Sequence, residues 1–286
     1  AARRVLRLAW FALAAAEQRA QAAGERADRA GRNSDAVDAM FEAGRVSRLD
    51  GVRARSDLVL ARVDRASAED ARAIAATRLG LLMGRGADAT LATAEVPPPE
   101  PEPERNAYVG RVRQSSPGVL LQTAQTGGAE ARLHLARRER WPLVSLSAGA
   151  EWSDPTQPGT NKWAAIGLAI PVGAGAAVEV AAAERDRAAA LLDREHRVAS
   201  EAAETAWRSA RSARLRLLAI EGDAVPAARE AAELTRLAYR EGRADLFRVL
   251  DAERALSEAL SARADALEAW GAAFADLKQL GGEDKP

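Results

Sequence analysis

Apolar residues recur at helical spacing along most of the chain. From Leu246, the positions Val249, Leu256, Leu260, Leu267, Trp270, Phe274 and Leu277 follow at steps of three, four or seven. That is the stripe of a helix packed in a coiled-coil-like seam. Residues 5–43 read as one long helix, its apolar face opening with Val5, Leu8, Leu13 and Ala16. Gly24 and Gly31 weaken it by about 1 kcal/mol each relative to alanine. Residues 47–83 read as the return helix, with Ser47 as N-cap and Leu49, Val52, Val59, Val63, Ala66 and Ile74 as its buried side. Ser115-Ser116-Pro117 starts another helix running to about Arg140 and loosened at Gly127-Gly128. The longest run spans about 176–241, where Pro226 must kink or restart it. Residues 245–280 return, and Gly281-Gly282 ends the helix.

Two segments change period. In 143–152, Val144, Leu146, Ala148, Ala150 and Trp152 share one face, opposite Ser145, Ser147, Gly149 and Glu151. In 163–171, Ala164, Ile166, Leu168 and Ile170 face away from Ala165, Gly167 and Ala169. Each is long enough for a tilted barrel strand, about 9–11 residues. Trp141, Trp152 and Trp163 stand near the strand ends, where aromatic girdles lie. The alternation alone fits either a membrane barrel hairpin or an amphipathic hairpin on a soluble sheet.

The helical hairpins repeat. Gly44 aligns with Gly242 at an offset of 198 residues, which holds ungapped through Leu58 and Leu256, Leu79 and Leu277, and Gly84 and Gly282. Phe41 answers Tyr239, Leu49 answers Phe247 and Val52 answers Leu250. Such a long-period duplication bears on fold before any single element does. Between the repeats, Val96-Pro97-Pro98-Pro99-Glu100-Pro101-Glu102-Pro103-Glu104 excludes helix and central strand. It reads as an extended, solvated polyproline-like linker.

Composition narrows the class. Of 286 residues 48% are hydrophobic but only 4% aromatic. Alanine-rich stripes suit thin, closely packed helix pairs better than one large globular core. The 41 basic and 41 acidic residues are interspersed, which argues against a nucleic-acid surface, since that needs a basic excess. The absence of cysteine excludes disulfides, thiolate metal sites and cysteine nucleophiles. No run of about 20 apolar residues marks a transmembrane helix. The chain opens on Ala1-Ala2-Arg3-Arg4, already inside a helical pattern and without a leader, as if its native beginning lay upstream.

No catalytic constellation stands out. His134 and His196 lie far apart on helical runs with no ligand partner at i+3 or i+4. Glu184-Arg185-Asp186-Arg187 reads as a solvated face with helix ion pairs. The glycines of 171–175 lack the Lys-Ser/Thr of a phosphate loop. An enzyme is not expected, nor a cofactor or metal.

Tyr239-x-x-Gly242, an apolar pair, then Val249-Leu250-Asp251-Ala252 and a long Leu/Ala-rich helix ending in Leu280-Gly281-Gly282 resemble the TolC-like outer-membrane efflux proteins. The first-repeat version, Gly44 to Ala54 and on to Leu81-Leu82-Met83-Gly84, is similar. The resemblance implies a mainly α fold of long antiparallel helical hairpins in two repeats. A β-hairpin would contribute to a trimeric membrane β-barrel. Residues 1–84 would be the first-repeat helical hairpin, 85–114 the inter-repeat connector and 115–282 the second repeat. The second repeat would comprise helix 115–140, β-hairpin 143–171 and long helical hairpin 174–280, leaving 283–286 as a tail.

By the same resemblance the protein would sit in the outer membrane with its helices in the periplasm. It would be a passive conduit of a tripartite efflux or type I secretion system. A periplasmic adaptor and an inner-membrane transporter would be its partners in a homotrimer set in outer-membrane lipid. The adaptor would dock at Gly44, Arg45, Val46, Ser47 and Leu49 on one tip and at Gly242, Arg243, Leu246 and Phe247 on the other. Asp251 matches a position near the tunnel constriction, where three acidic side chains would form a cation-favouring ring. Arg248 replaces the other commonly acidic residue there and would pair with a carboxylate or weaken that ring. Residues Ile170 to Gly175 slightly resemble the heavy-metal branch, without a metal cluster to support it. The family carries a β-hairpin in each repeat and this chain shows one, so truncation is the expectation. A pore-free periplasmic adaptor or coiled-coil scaffold is the alternative. An adaptor would require lipoyl-like and β-barrel domains around a single hairpin.

Overall fold

The computed structural model describes residues 2–86, 91–93, 96–151 and 161–282. In chain order the elements are α1 (Ala2–Glu42), α2 (Arg48–Leu82), α3 (Arg105–Ser115), α4 (Pro117–Arg138), β1 (Leu143–Glu151), β2 (Asn161–Ala169), α5 (Ala174–Ala219), a π-helical turn (Ile220–Ala224), α6 (Val225–Arg240) and α7 (Leu246–Leu280). Packing divides the chain into two compact units, Ala1–Tyr108 with Ala203–Pro286, and Val109–Ala202.

The duplication is visible in the backbone. Helices α2 and α7 each have 35 residues and start and stop at the same offset. Gly44 and Gly242 have φ of 68° and 71°, and Gly84 and Gly282 have 72° and 75°. At the first turn the Gly44 amide donates to the Phe41 carbonyl at 2.9 Å and Arg45 to Met40 at 2.9 Å. At the second, Gly242 donates to Tyr239 at 3.0 Å and Arg243 to Ala238 at 2.8 Å. Both are Schellman closures, which need the left-handed residue that glycine supplies without steric cost.

In the first unit α1 packs against α2 on one side and α7 on the other, and α7 packs against α6. Phe11, Ala14, Leu217, Ala266, Leu267 and Trp270 form one buried cluster. Phe11 meets Trp10 and Trp270 edge-on, with ring centroids 4.8 and 5.2 Å apart. The apolar stripe expected on α7 is buried from Leu246 to Leu277, with Phe274 packed at the cluster's margin. Gly271 lets the Phe11 ring approach: a Cβ there would lie 2.1 Å from the Phe11 Cγ. Gly271→Ala is therefore expected to destabilise by about 1–3 kcal/mol through overpacking. Helix propensity alone predicts a gain of about 1 kcal/mol. Denaturant unfolding of the full chain reads the sign.

Helix α2 corrects the sequence reading. Leu49, Val52, Val59, Val63 and Ile74 are exposed, and Ala66 with them; the residues buried are Gly51, Ala54, Ala61, Leu79 and Gly80. Small residues let α1 approach closely, so the bulky stripe points away from it. Among the described residues that stripe has no cover.

The Pro-rich segment is also not a solvated linker. Polyproline backbone has no internal hydrogen bonds, so its carbonyls and alternating glutamates are free to bind neighbours. Arg214 donates from Nε to Glu102 Oε1 at 2.8 Å and from Nη2 to Oε2 at 3.2 Å. Trp207 Nε1 donates to the Pro103 carbonyl at 2.8 Å. The Glu104 carboxylate accepts from the Asn106 and Ala107 amides and caps α3, a helix inside the span expected to be connector. Those amide bonds hold its pKa below the ordinary 4.5. The Tyr108 hydroxyl donates to the Leu277 carbonyl at 2.9 Å. The segment is a strap fastened to α5 and α7.

Pro226 enters α6 in its first turn, and the chain relieves its missing amide one turn earlier. The Val225 amide reaches back five residues to the Ile220 carbonyl, forming the π turn. Pro226 thus restarts the helix through a π bulge.

In the second unit α4 and the first part of α5 run antiparallel. Leu133 and Ala136 pack on Ala181, and Thr126 Oγ1 donates to the Ala188 carbonyl at 3.3 Å. Ser116 is the N-cap with Pro117 following, although its side chain makes no capping bond. Helix α4 passes through Gly127-Gly128 unbroken. Strands β1 and β2 pair antiparallel, with Val144 opposite Leu168, Leu146 opposite Ile166 and Ala148 opposite Ala164. The two alternating faces therefore register, and the apolar one is exposed at Val144, Leu146, Ile166 and Leu168.

The paired hairpin tips as candidate functional site

The two turns meet in the first unit. Leu246, at the start of α7, is buried against Val37 and Ala54, with Val46, Tyr239 and Leu250 around them. A groove of about 600 Å³ runs between the tips, lined by Gly44, Arg45, Val46, Ser47 and Asp50 on one side and by Tyr239, Gly242 and Asp245 among others on the other. Each return helix is capped at this groove. Ser47 and Asp50 form a reciprocal capping box: the Asp50 amide donates to Ser47 Oγ at 3.2 Å and the Ser47 amide to Asp50 Oδ2 at 3.1 Å. Asp245 caps α7, accepting from the Arg248 amide at 2.9 Å. The sequence signal for Asp245 was an aspartate directly before an apolar run, which the sequence reading passed over.

The expected tip residues separate by exposure. Gly44, Arg45, Ser47, Leu49, Gly242, Arg243 and Phe247 are exposed, whereas Val46 is partly covered and Leu246 is buried. Leu246 is the joint between the tips, not part of an outward surface. Arg243 pairs with Glu241 of its own turn. Arg248 and Asp251 are exposed, and neither makes an ion pair with another described residue. The closing Arg248–carboxylate pair considered for this turn is thus not made within the described residues.

Above the tips one carboxylate joins three helices. Glu253 of α7 is 5% exposed. Arg29 of α1 donates from Nε to its Oε2 at 2.7 Å. Arg236 of α6 sets its Nε 3.3 Å from Oε1, an ion pair without hydrogen-bond geometry. Burial, with the Asp50 carboxylate nearby, pushes the Tyr239 phenol above its ordinary pKa of 10.0. Arg29 and Glu253 lie 224 residues apart in the chain, and no local pattern announces their pairing.

Of the three tryptophans expected at the membrane interface, Trp141 and Trp163 lie among the described residues. Trp141 is exposed just before β1. Trp152 lies outside the described residues. Trp163 sits opposite Gly149, its indole where a Cβ at 149 would come within 2.7 Å. That is the face of Ser145 and Ser147, not the apolar face, because residues paired across an antiparallel ladder share a side. Among the described residues no helix is long and apolar enough to cross a membrane, which says nothing of a barrel. No cluster of His, Asp and Glu among them suits a metal.

No protein-family model and no curated protein sequence matches the chain. Solved structures do, and the fold is that of TolC-like outer-membrane channels. A membrane protein from Pseudomonas aeruginosa superposes with a TM-score of 0.74 at 20% identity, over 98% of this chain and 67% of that one. The outer-membrane channel OprN gives 0.71 at 21% identity over 98% and 65%. CusC, whose structures concern folding and transmembrane channel formation, gives 0.73 at 18% identity over 96% and 66%. The chain thus spans about two thirds of the length of these structures.

Proposed function

We propose that the chain acts in an outer-membrane channel of a tripartite efflux or type I secretion system, as a passive conduit from periplasm to exterior. The observation that carries this is a superposition of 98% of this chain on the outer-membrane channel OprN, joined to a β-hairpin whose apolar face is left exposed. A soluble scaffold gains nothing from exposing Val144, Leu146, Ile166 and Leu168 together, whereas lipid covers such a face. The bare stripe on α2, from Leu49 and Val52 to Ile74, is what a second copy would cover, and supports the homotrimer. Residues 1–84 and 115–282 are the two repeats in this reading, joined by 85–114.

The tips are the proposed docking point for the periplasmic adaptor, through Gly44, Arg45, Ser47, Leu49, Gly242, Arg243 and Phe247. Leu49 and Phe247, exposed at equivalent positions of the two repeats, are the apolar grips a helical hairpin would seize. Asp251 lines the constriction, with Arg248 tempering its charge. The inner-membrane transporter supplies the energy. The test is the mass of the purified chain with and without detergent. A trimer that needs detergent is expected. A monomer equally soluble without detergent would remove the pore and favour the pore-free periplasmic scaffold.

A further inference from the structure

We infer that the first unit holds a binding site for one small oxyanion of phosphate or sulfate size, between α1 and α6 just above the tips. A cavity of about 90 Å³ lies there, lined by Arg29, Arg32, Asn33, Arg236, Tyr239 and Arg240. A water occupies about 10–15 Å³ on this measure, so the space suits a tetrahedral anion and not a nucleotide. Its polar wall consists of four guanidiniums, one amide and one phenol. Buried carboxylate for them is short. Glu253 serves both Arg29 and Arg236, and Glu25 reaches Arg29 Nη1 only at 3.5 Å. Arg32 and Arg240 make no ion pair with another described residue.

The donors point to the ligand. Arg29 Nη2 and Asn33 Nδ2 are buried without a hydrogen-bond partner in the protein, and so is the Tyr239 hydroxyl. A buried donor left unmade is costly, and guanidinium donors are costlier than neutral ones. The group that satisfies planar Arg forks together with an amide is an oxyanion, which accepts several charge-assisted bonds at once. A cation is excluded by the same wall. The site joins α1 of the first hairpin to α6 of the second, so an occupant ties the two hairpins beside the tip groove. This inference does not rest on the channel reading.

The test is calorimetric titration of the full chain, in phosphate-free buffer, with sodium phosphate against sodium chloride at equal ionic strength. Saturable binding of one phosphate per chain is expected, with chloride giving none. Arg32→Gln and Arg240→Gln, both at exposed positions whose loss leaves helical content unchanged, should each weaken binding about ten-fold. Glu253→Gln, which frees two guanidiniums, should tighten it. Absence of saturable phosphate binding overturns the site. Binding unchanged in both arginine variants overturns it equally, by placing the anion elsewhere.

Discussion

Trp270→Ala is expected to lower the unfolding free energy of the chain by about 3–5 kcal/mol, the range for deleting a large buried aromatic. Trp270 is 3% exposed and stands where three segments meet. Phe11 reaches it from α1, Leu217 from the end of α5, and Leu267 and Phe274 lie beside it on α7. Few large side chains are available to refill the space, since only 4% of the chain is aromatic and most of its apolar residues are small. The helices are long and cannot close on the hole without shifting their neighbours, so the cavity persists. Phe247→Ala is the control: that ring is 66% exposed, and its loss should move stability by no more than about 0.5 kcal/mol. Denaturant unfolding of both variants beside the parent chain measures the difference. Equal midpoints would mean that the core lies elsewhere than at this aromatic cluster.

The contrast between those two residues shows what periodicity carries. Trp270 and Phe247 belong to the same helix, and the heptad-like stripe correctly buried the first while Phe247 stood off it. The glycine turns were equally legible, because a Schellman closure is local: its requirement for positive φ sits at one residue and its bonds within six. Helix α2 was misjudged because periodicity gives a face and not its partner. Its bulky stripe and its small-residue stripe both repeat helically, and only the tertiary contact shows that α1 took the small one. The strap was misread for a related reason. Proline excludes helix, but whether the extended chain is bare or fastened depends on Arg214 and Trp207, more than 100 residues away. The apolar face of the β-hairpin was legible. Trp163 was not, since its place over Gly149 comes from the pairing and not from its nearness to a strand end.

The buried carboxylate of Glu253 was beyond any sequence pattern, and it carries the other large effect. Glu253→Ala is expected to cost about 3–5 kcal/mol, because it strands charged partners in the interior. Arg29 has a side chain only 11% exposed and would keep just its longer contact to Glu25. Arg236, 26% exposed, could turn outward and would lose less. The cost of the single change measures the penalty on Arg29 more than the worth of the pair. Replacing both members separates the two quantities. In Arg29→Met with Glu253→Leu the charges leave together, and stability should return to near the parent value or exceed it by about 1–4 kcal/mol. A double-mutant cycle by denaturant unfolding gives the coupling. Strong coupling with a stable double variant would mean that the polar link chiefly fixes how α1, α6 and α7 meet, at a price in stability that an apolar contact avoids. Additive losses would mean that each residue acts through separate packing and that the bridge does not hold the hairpins in register. The same double variant removes Arg29 from the wall of the oxyanion cavity, so it should fold well yet bind phosphate more weakly than the parent.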